Sequence, residues 1–135
     1  MLGDGTTIDK SSPVQIGTSS WTSVSVTRFN VAAIRSDGAL FTWGYNGDGQ
    51  LGDGTVASKS SPVQIGTYSW VMASASDGFA AAVRTDGTVW AWGNGVNGRL
   101  GNGATTKKSS PVQVSLATRI RAVSAGLSHT TFIAE

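Results

Sequence analysis

The sequence predicts an all-β protein made of β-propeller blades of four antiparallel strands, about two and three-quarter repeats in 135 residues. Three observations carry that prediction. The glycine-rich stretch from Phe41 to Thr55 returns from Trp90 to Ala104, and its tail opens the chain as Leu2-Gly3-Asp4-Gly5-Thr6. The segment Ser-Ser-Pro-Val-Gln stands at Ser11, Ser60 and Ser109, in phase with the first marker at a step of 49 residues. Each period also holds four short strand signals separated by turn residues. A fixed period of this length with four strands and tryptophan-glycine signatures describes a propeller blade. Numbered from the first marker, the repeats run over 2–50, 51–99 and an incomplete 100–135, in one partial propeller over 1–135.

In the first period, Val14 to Ile16 reads as a short strand with Pro13 at its start, where a missing donor is tolerated. Trp21 to Val26 is a second strand, with Thr22, Val24 and Val26 on one side and Trp21, Ser23 and Ser25 on the other. Val31 to Ile34 is a small apolar run suited to burial on both faces. Ser36-Asp37-Gly38 is a hairpin turn, and Leu40 to Trp43 returns with Phe41 and Trp43 on one face. The second period gives Val63 to Ile65, Trp70 to Ala75, Ala80 to Val83 and Val89 to Trp92. The third gives Val112 to Val114, Ile120 to Ser124 and Thr130 to Ile133. In that copy Arg119 takes the column of Trp21 and Trp70, and one extra residue precedes Val123.

Composition narrows the function classes. Eighteen glycines and 13% charged residues argue against a helical protein. No apolar run is long enough for a transmembrane helix, and the start shows no secretory leader pattern. Cysteine is absent, which excludes disulfides, thiolate metal sites and cysteine nucleophiles and assigns no compartment. The net charge is only +2, with no aromatic-and-basic stripe of the nucleic-acid kind. Lys10, Lys59 and Lys108 share one repeat column and Arg35 and Arg84 another, read either as basic arcs on one face or as solvated turn residues.

Gly38 to Gly52, Ser61-Pro62-Val63 and Val123 to Thr130 resemble repeats of the regulator of chromosome condensation family, in the form common in bacteria and their phages. The resemblance covers essentially the whole chain. It implies a seven-bladed propeller and, from the family's founder, nucleotide exchange on the small GTPase Ran with chromatin binding. Other relatives include a plant ultraviolet-B photoreceptor and a bacterial protein inhibitor of β-lactamases. The matched motif is structural, so none of those sites carries over by residue, and function lives in the site rather than the scaffold. Trp21 and Trp70 stand one per period, so no dense tryptophan cluster of the photoreceptor kind is visible.

The chemical motifs weaken under their structural readings. Gly47 to Gly52 and Gly93 to Gly98 both match GxGxxG, but each leads into another glycine turn rather than a helix that would receive a pyrophosphate. Asn46-Gly47-Asp48-Gly49 with Asp53 hints at a calcium loop, yet no terminal glutamate follows and the second copy has Asn97 and Asn102. His129, the only histidine, aligns with Asn30 and Phe79 and reads as a blade residue hydrogen-bonded to a loop backbone. No paired carboxylates are placed to act together. No catalytic, cofactor-binding or metal-ligating residue is therefore expected, and no cofactor.

The expected function is a non-enzymatic protein-interaction scaffold whose loops on one propeller face hold a protein partner. Val56 to Lys59, Ala104 to Lys108 and Thr7 to Lys10 are the candidate contacts, with Lys10, Val56, Lys59, Thr105, Lys107 and Lys108 as the named residues. Two alternatives stand beside it: guanine-nucleotide exchange on a small GTPase, and a cell-surface or virion structural module. Nucleic acid and membrane insertion are not expected. Fewer than three blades cannot close a ring, so the missing blades are expected from a longer parent chain or from self-association.

Overall fold

The structure, a computed structural model, describes residues 1–134. Ten strands form three antiparallel sheets. The first holds β1 (Trp21–Val26), β2 (Asn30–Arg35), β3 (Leu40–Gly44) and β4 (Lys59–Gln64), in that order. The second repeats it with β5 (Trp70–Ala75), β6 (Phe79–Arg84), β7 (Val89–Gly93) and β8 (Lys108–Val114). The third contains β9 (Ile120–Ala125) and β10 (Thr130–Ala134). These are propeller blades, and their sequence order is their spatial order. One short 3-10 turn, Val96–Gly98, interrupts the β pattern.

The hairpins form where the sequence places tight turns. Gly38 and Gly87 take φ of +85° and +81° after Asp37 and Asp86, a conformation a side chain resists. In register, Trp21 lies opposite Arg35 and Trp70 opposite Arg84, with the same irregularity after each tryptophan. The outer strands differ from expectation in length and in place. β4 and β8 start at Lys59 and Lys108, and each joins the sheet of the preceding three strands. The sheets thus run across the 49-residue numbering, each borrowing its fourth strand from the next repeat. Val14 to Ile16 forms no strand: it holds the fourth-strand column, and no third strand lies beside it among the described residues. Pro62 and Pro111 sit within β4 and β8, on sheet edges where their missing N–H costs no ladder bond.

Two cores fill the spaces between blades. Ala32, Ile34, Leu40 and Ile65 of the first sheet's side meet Trp70, Ala73, Ala82 and Trp92 of the second. Ala81, Val83, Val89 and Val114 meet Ile120 and Val123 of the third. β6 alternates between these cores, which explains why its Ala80–Val83 run is apolar throughout and fully buried. The third repeat corrects one assignment. Ile120, not Arg119, holds the tryptophan column: it is buried, and its N–H bonds the Gly87 carbonyl as that of Trp70 bonds Gly38. The extra residue falls in the turn over 115–119, where a chain can absorb it, and leaves Arg119 exposed.

Candidate functional loop face

The loops after β3 and β7 lie side by side. Gly5 N–H of the N-terminal loop donates to the Ser60 carbonyl at 3.0 Å and Gly54 N–H of the loop after β3 to the Ser109 carbonyl at 2.8 Å, tying each of these two loops to the next outer strand. At Gly52, with φ +78°, an added Cβ would stand 2.7 Å from the Trp92 indole nitrogen. The indole N–H of Trp92 donates to Gln50 and that of Trp43 to Leu2, so tryptophan edges hold the loops down. Gln50 donates to the Asp77 carbonyl, and Arg99, one repeat on, reaches the Leu127 carbonyl. Each loop is therefore stapled to the following blade.

Asn46 is the hub of the first loop. It is fully buried, its amide donates to Asp53, to Thr55 and to the Ala57 carbonyl, and its oxygen accepts from Leu51 N–H. In the second loop Gly95 stands in that column, and an added Cβ would meet the Thr106 carbonyl at 2.3 Å. The backbone of the second loop thus occupies the space that the Asn46 side chain fills in the first. The oxygens proposed from sequence for a calcium loop are engaged in this scaffold. Asp53 accepts from Thr55 and pairs with Lys59 at 3.3 Å, while Asp48 pairs with Lys107 and accepts from Asn94. Among the described residues no group of three or more His, Cys, Asp or Glu is placed to hold a metal ion.

The candidate contact residues divide into two kinds. Lys10 and Lys59 pair with Asp4 and Asp53 at 3.4 and 3.3 Å, a clamp repeated from loop to loop. Lys108 begins β8 half-buried, and Asn102 stands where the matching aspartate would be. Lys107 crosses the seam between blades to Asp48 and stays largely exposed. Val56, 63% exposed, and Thr105 stand on the open surface, while Lys10, Lys59 and Lys107 are committed to ion pairs. Among the carboxylates, Lys107 holds Asp48 below the usual range despite partial burial. Burial pushes Asp53 upward, but the Thr55 hydroxyl and amide and Lys59 outweigh it and the net shift is downward. Arg35, with help from the Ala39 amide, brings Asp37 down to about 2.

Sequence reasoning missed two features. His129 is exposed; its carbonyl accepts from Gly126 N–H, and among the described residues its ring makes no hydrogen bond to a loop backbone. Asn30, in the same column, makes that contact, donating to the Ser76 and Asp77 carbonyls. Aromatic residues also gather where the columns showed isolated tryptophans. Arg84 lies 3.3 Å from the Tyr68 ring centre and 3.7 Å from that of Trp90, sandwiched between near-parallel rings, with Trp70 and Trp92 in contact beyond. Tyr68 falls in a turn position that is Ser19 one repeat earlier, so the repeat pattern gave no sign of it. The GxGxxG stretches open no α-helix and run through positive-φ glycines into turns.

The family model for the regulator of chromosome condensation (RCC1) repeat matches residues 37–83 and 86–133, and a second model with the same description matches 21–50. No curated protein sequence matches significantly. Among solved structures, the chain is similar to human WBSCR16 with a TM-score of 0.81 at 20% identity, over 90% of this chain and 32% of that one. It is also similar to Prp20p from Saccharomyces cerevisiae, whose structure is described with its binding to Gsp1p and histones, with a TM-score of 0.78 at 15% identity over 88% of this chain and 32% of that one. Yeast RCC1 (Prp20) bound to Kap60 gives 0.77 at 15% identity, over 87% and 30%. The chain spans about a third of the length of these structures, and no helix in the described residues is long and apolar enough to cross a membrane.

Proposed function

Because the chain belongs to the regulator of chromosome condensation (RCC1) repeat family, we propose that it is a non-enzymatic protein-interaction scaffold whose loop face holds a protein partner. The observation that carries this reading is the pairing of a stapled frame with open tips. Asn46, Gln50 and the tryptophan indoles fix the loops, while Val56 and Thr105 are exposed on them. A rigid frame keeps the ordering cost of binding low, and exposed variable loops supply the recognition chemistry.

The test places a photo-crosslinking residue at Val56 or Thr105, with Thr22 on the exposed side of β1 as the control position. The proposal expects one discrete protein adduct from the loop positions, absent from Thr22 and weakened by Lys107→Glu. Equal labelling from all three positions would refute it. The structures similar to this chain include one that binds Gsp1p, so the captured partner is then assayed for release of labelled guanine nucleotide. Accelerated release would make the module an exchange factor; unchanged release leaves it a scaffold.

A further inference from the structure

The second sheet carries a guanidinium, that of Arg84, whose hydrogen-bonding edge has no acceptor. It lies at the seam between the first two sheets, each of which has all four strands, at the end of the blades opposite the loop face. In the first sheet the same edge is filled. Arg35 directs its Nε and one terminal nitrogen to Asp37 at 3.0 and 2.7 Å, a fork on a carboxylate. Arg84 and Asp86 hold the same two columns, yet no ion pair joins them among the described residues. Thr88, which is Ala39 one repeat earlier, takes Asp86 instead, with its N–H at 2.9 Å and its hydroxyl at 2.6 Å. The same hydroxyl accepts from the Trp90 indole at 3.0 Å and so sets that ring beside Arg84.

Tyr68 and Trp90 hold the guanidinium at 3.3 and 3.7 Å from their ring centres, and the Trp70 ring lies 5.2 Å away. Two donors of this cluster are buried with no acceptor among the described residues: Arg84 Nε and the indole N–H of Trp70, itself 2% exposed. Unpaired buried donors are costly, and a native structure keeps them where something else supplies the acceptor. The terminal nitrogens of Arg84 are not buried, and among the described residues they make no hydrogen bond or ion pair. With a ring on each face, only the edge of the guanidinium is left to meet a ligand.

We infer that Arg84, walled by Tyr68 and Trp90, is the centre of a binding site for a carboxylate supplied from outside the chain. The planar fork matches a carboxylate, and the rings fix its plane before the ligand arrives. One cation balances one negative charge, and the nearby Asp86 opposes a dianion such as a phosphate monoester. Tyr68, 54% exposed, adds an aromatic wall that a ligand larger than the carboxylate itself can touch. The carboxylate belongs either to a small organic acid or to an acidic side chain of another protein. The site stands apart from the loop face and does not rest on the reading of that face.

The test titrates the isotope-labelled chain with sodium acetate and, at matched ionic strength, with sodium chloride and methyl phosphate. The magnetic resonance signals of the Trp90 indole and the Arg84 side chain are followed. Acetate should give saturable shifts, chloride none, and methyl phosphate a weaker response than acetate. Arg84→Lys keeps the charge without the fork and should lose the saturable response. Thr88→Ala recreates the arrangement of the first sheet, freeing Asp86 to fold onto Arg84 as Asp37 does onto Arg35, and should lose it too. The signals of the other residues show that both variants keep the fold. Acetate shifts that chloride reproduces would overturn the inference. So would a saturable response that survives in Arg84→Lys, or one that Thr88→Ala leaves unchanged. A glutamate tripeptide blocked at both ends, set against its glutamine counterpart, separates the two sources. Tighter binding than acetate assigns the site to a protein side chain, and equal binding to a small acid.

Discussion

The first and second sheets have the same order, nearly the same register and the same aromatic columns, yet they are buried very differently. Trp70 is 2% exposed where Trp21 is half-buried, and Ala73 is 7% exposed where Val24 is 62%. The second sheet has a blade on each side; the first has one on a single side. Burial here is conferred by the neighbour and not by the strand's own pattern, as expected of repeats that cannot bury an apolar face alone. The comparison separates what each repeat contributes from what its position adds.

The largest effect expected comes from the tryptophan column. Trp70→Ala should cost about 3–5 kcal/mol, the usual range for emptying a packed aromatic site, and Trp21→Ala less than half of that, read from urea unfolding midpoints. Equal losses would break the comparison. A glycine pair sharpens it next. Gly52 and Gly103 share a left-handed backbone, φ +78° and +77°, but a Cβ at Gly52 meets Trp92 whereas Gly103 has open space. Gly103→Ala should lose about 1–2 kcal/mol from backbone strain alone, and Gly52→Ala a further 1–3 kcal/mol or so from the clash. Thermal unfolding of the two variants measures the difference directly.

The arginine column predicts a smaller contrast. Arg84 is held between Tyr68 and Trp90, while Arg35 makes an exposed fork to Asp37. Arg84→Ala should cost about 1–2 kcal/mol by loss of the sandwich, and Arg35→Ala less, with the Arg35 effect fading in high salt. Smallest is the acid response of the seam. Asp48 has its pKa depressed, mainly by Lys107, so its contribution is complete above the ordinary carboxylate value of about 4 and is lost as pH falls through the depressed one. Asp48→Asn should flatten the fall in stability below about pH 4, seen in urea midpoints between pH 2.5 and 6, and leave the upper part of the profile parallel. Asn97 occupies that column one repeat later, so the variant gives both loops the same residue there.

The strands that line the two seams were legible because their residues face a neighbour on each side. The Ala80–Val83 run and the Asp-Gly turns each follow from local chemistry, whereas the irregularity after Trp21 breaks the alternation expected over Trp21–Val26 and brings Trp21 to the same side as Val24. The assignment of the outer strand to its sheet was not legible. A 49-residue period has no intrinsic start, and only the pairing of β3 with β4 across a long loop shows which repeat owns Ser60-Ser61-Pro62. The third tryptophan column was misplaced at Arg119 because a one-residue insertion in a turn leaves no mark of its position. At the loop face, the lysine column was visible but its aspartate partners were not, since Asp4 and Asp53 precede Lys10 and Lys59 by six residues around a turn. Asn46 and Gly95 fill one space by opposite means, which no pattern of like residues reveals.

Burial conferred by the neighbouring blade is what native-state hydrogen exchange reads. On the dilute chain, held monomeric by its scattering mass, the amides of β1 and β5 are compared residue by residue. The account predicts that β5 exchanges only through global unfolding, while β1 exchanges through a local opening of lower free energy. Equal protection in the two strands would contradict it, because burial would then follow from each repeat's own sequence and not from the blade beside it.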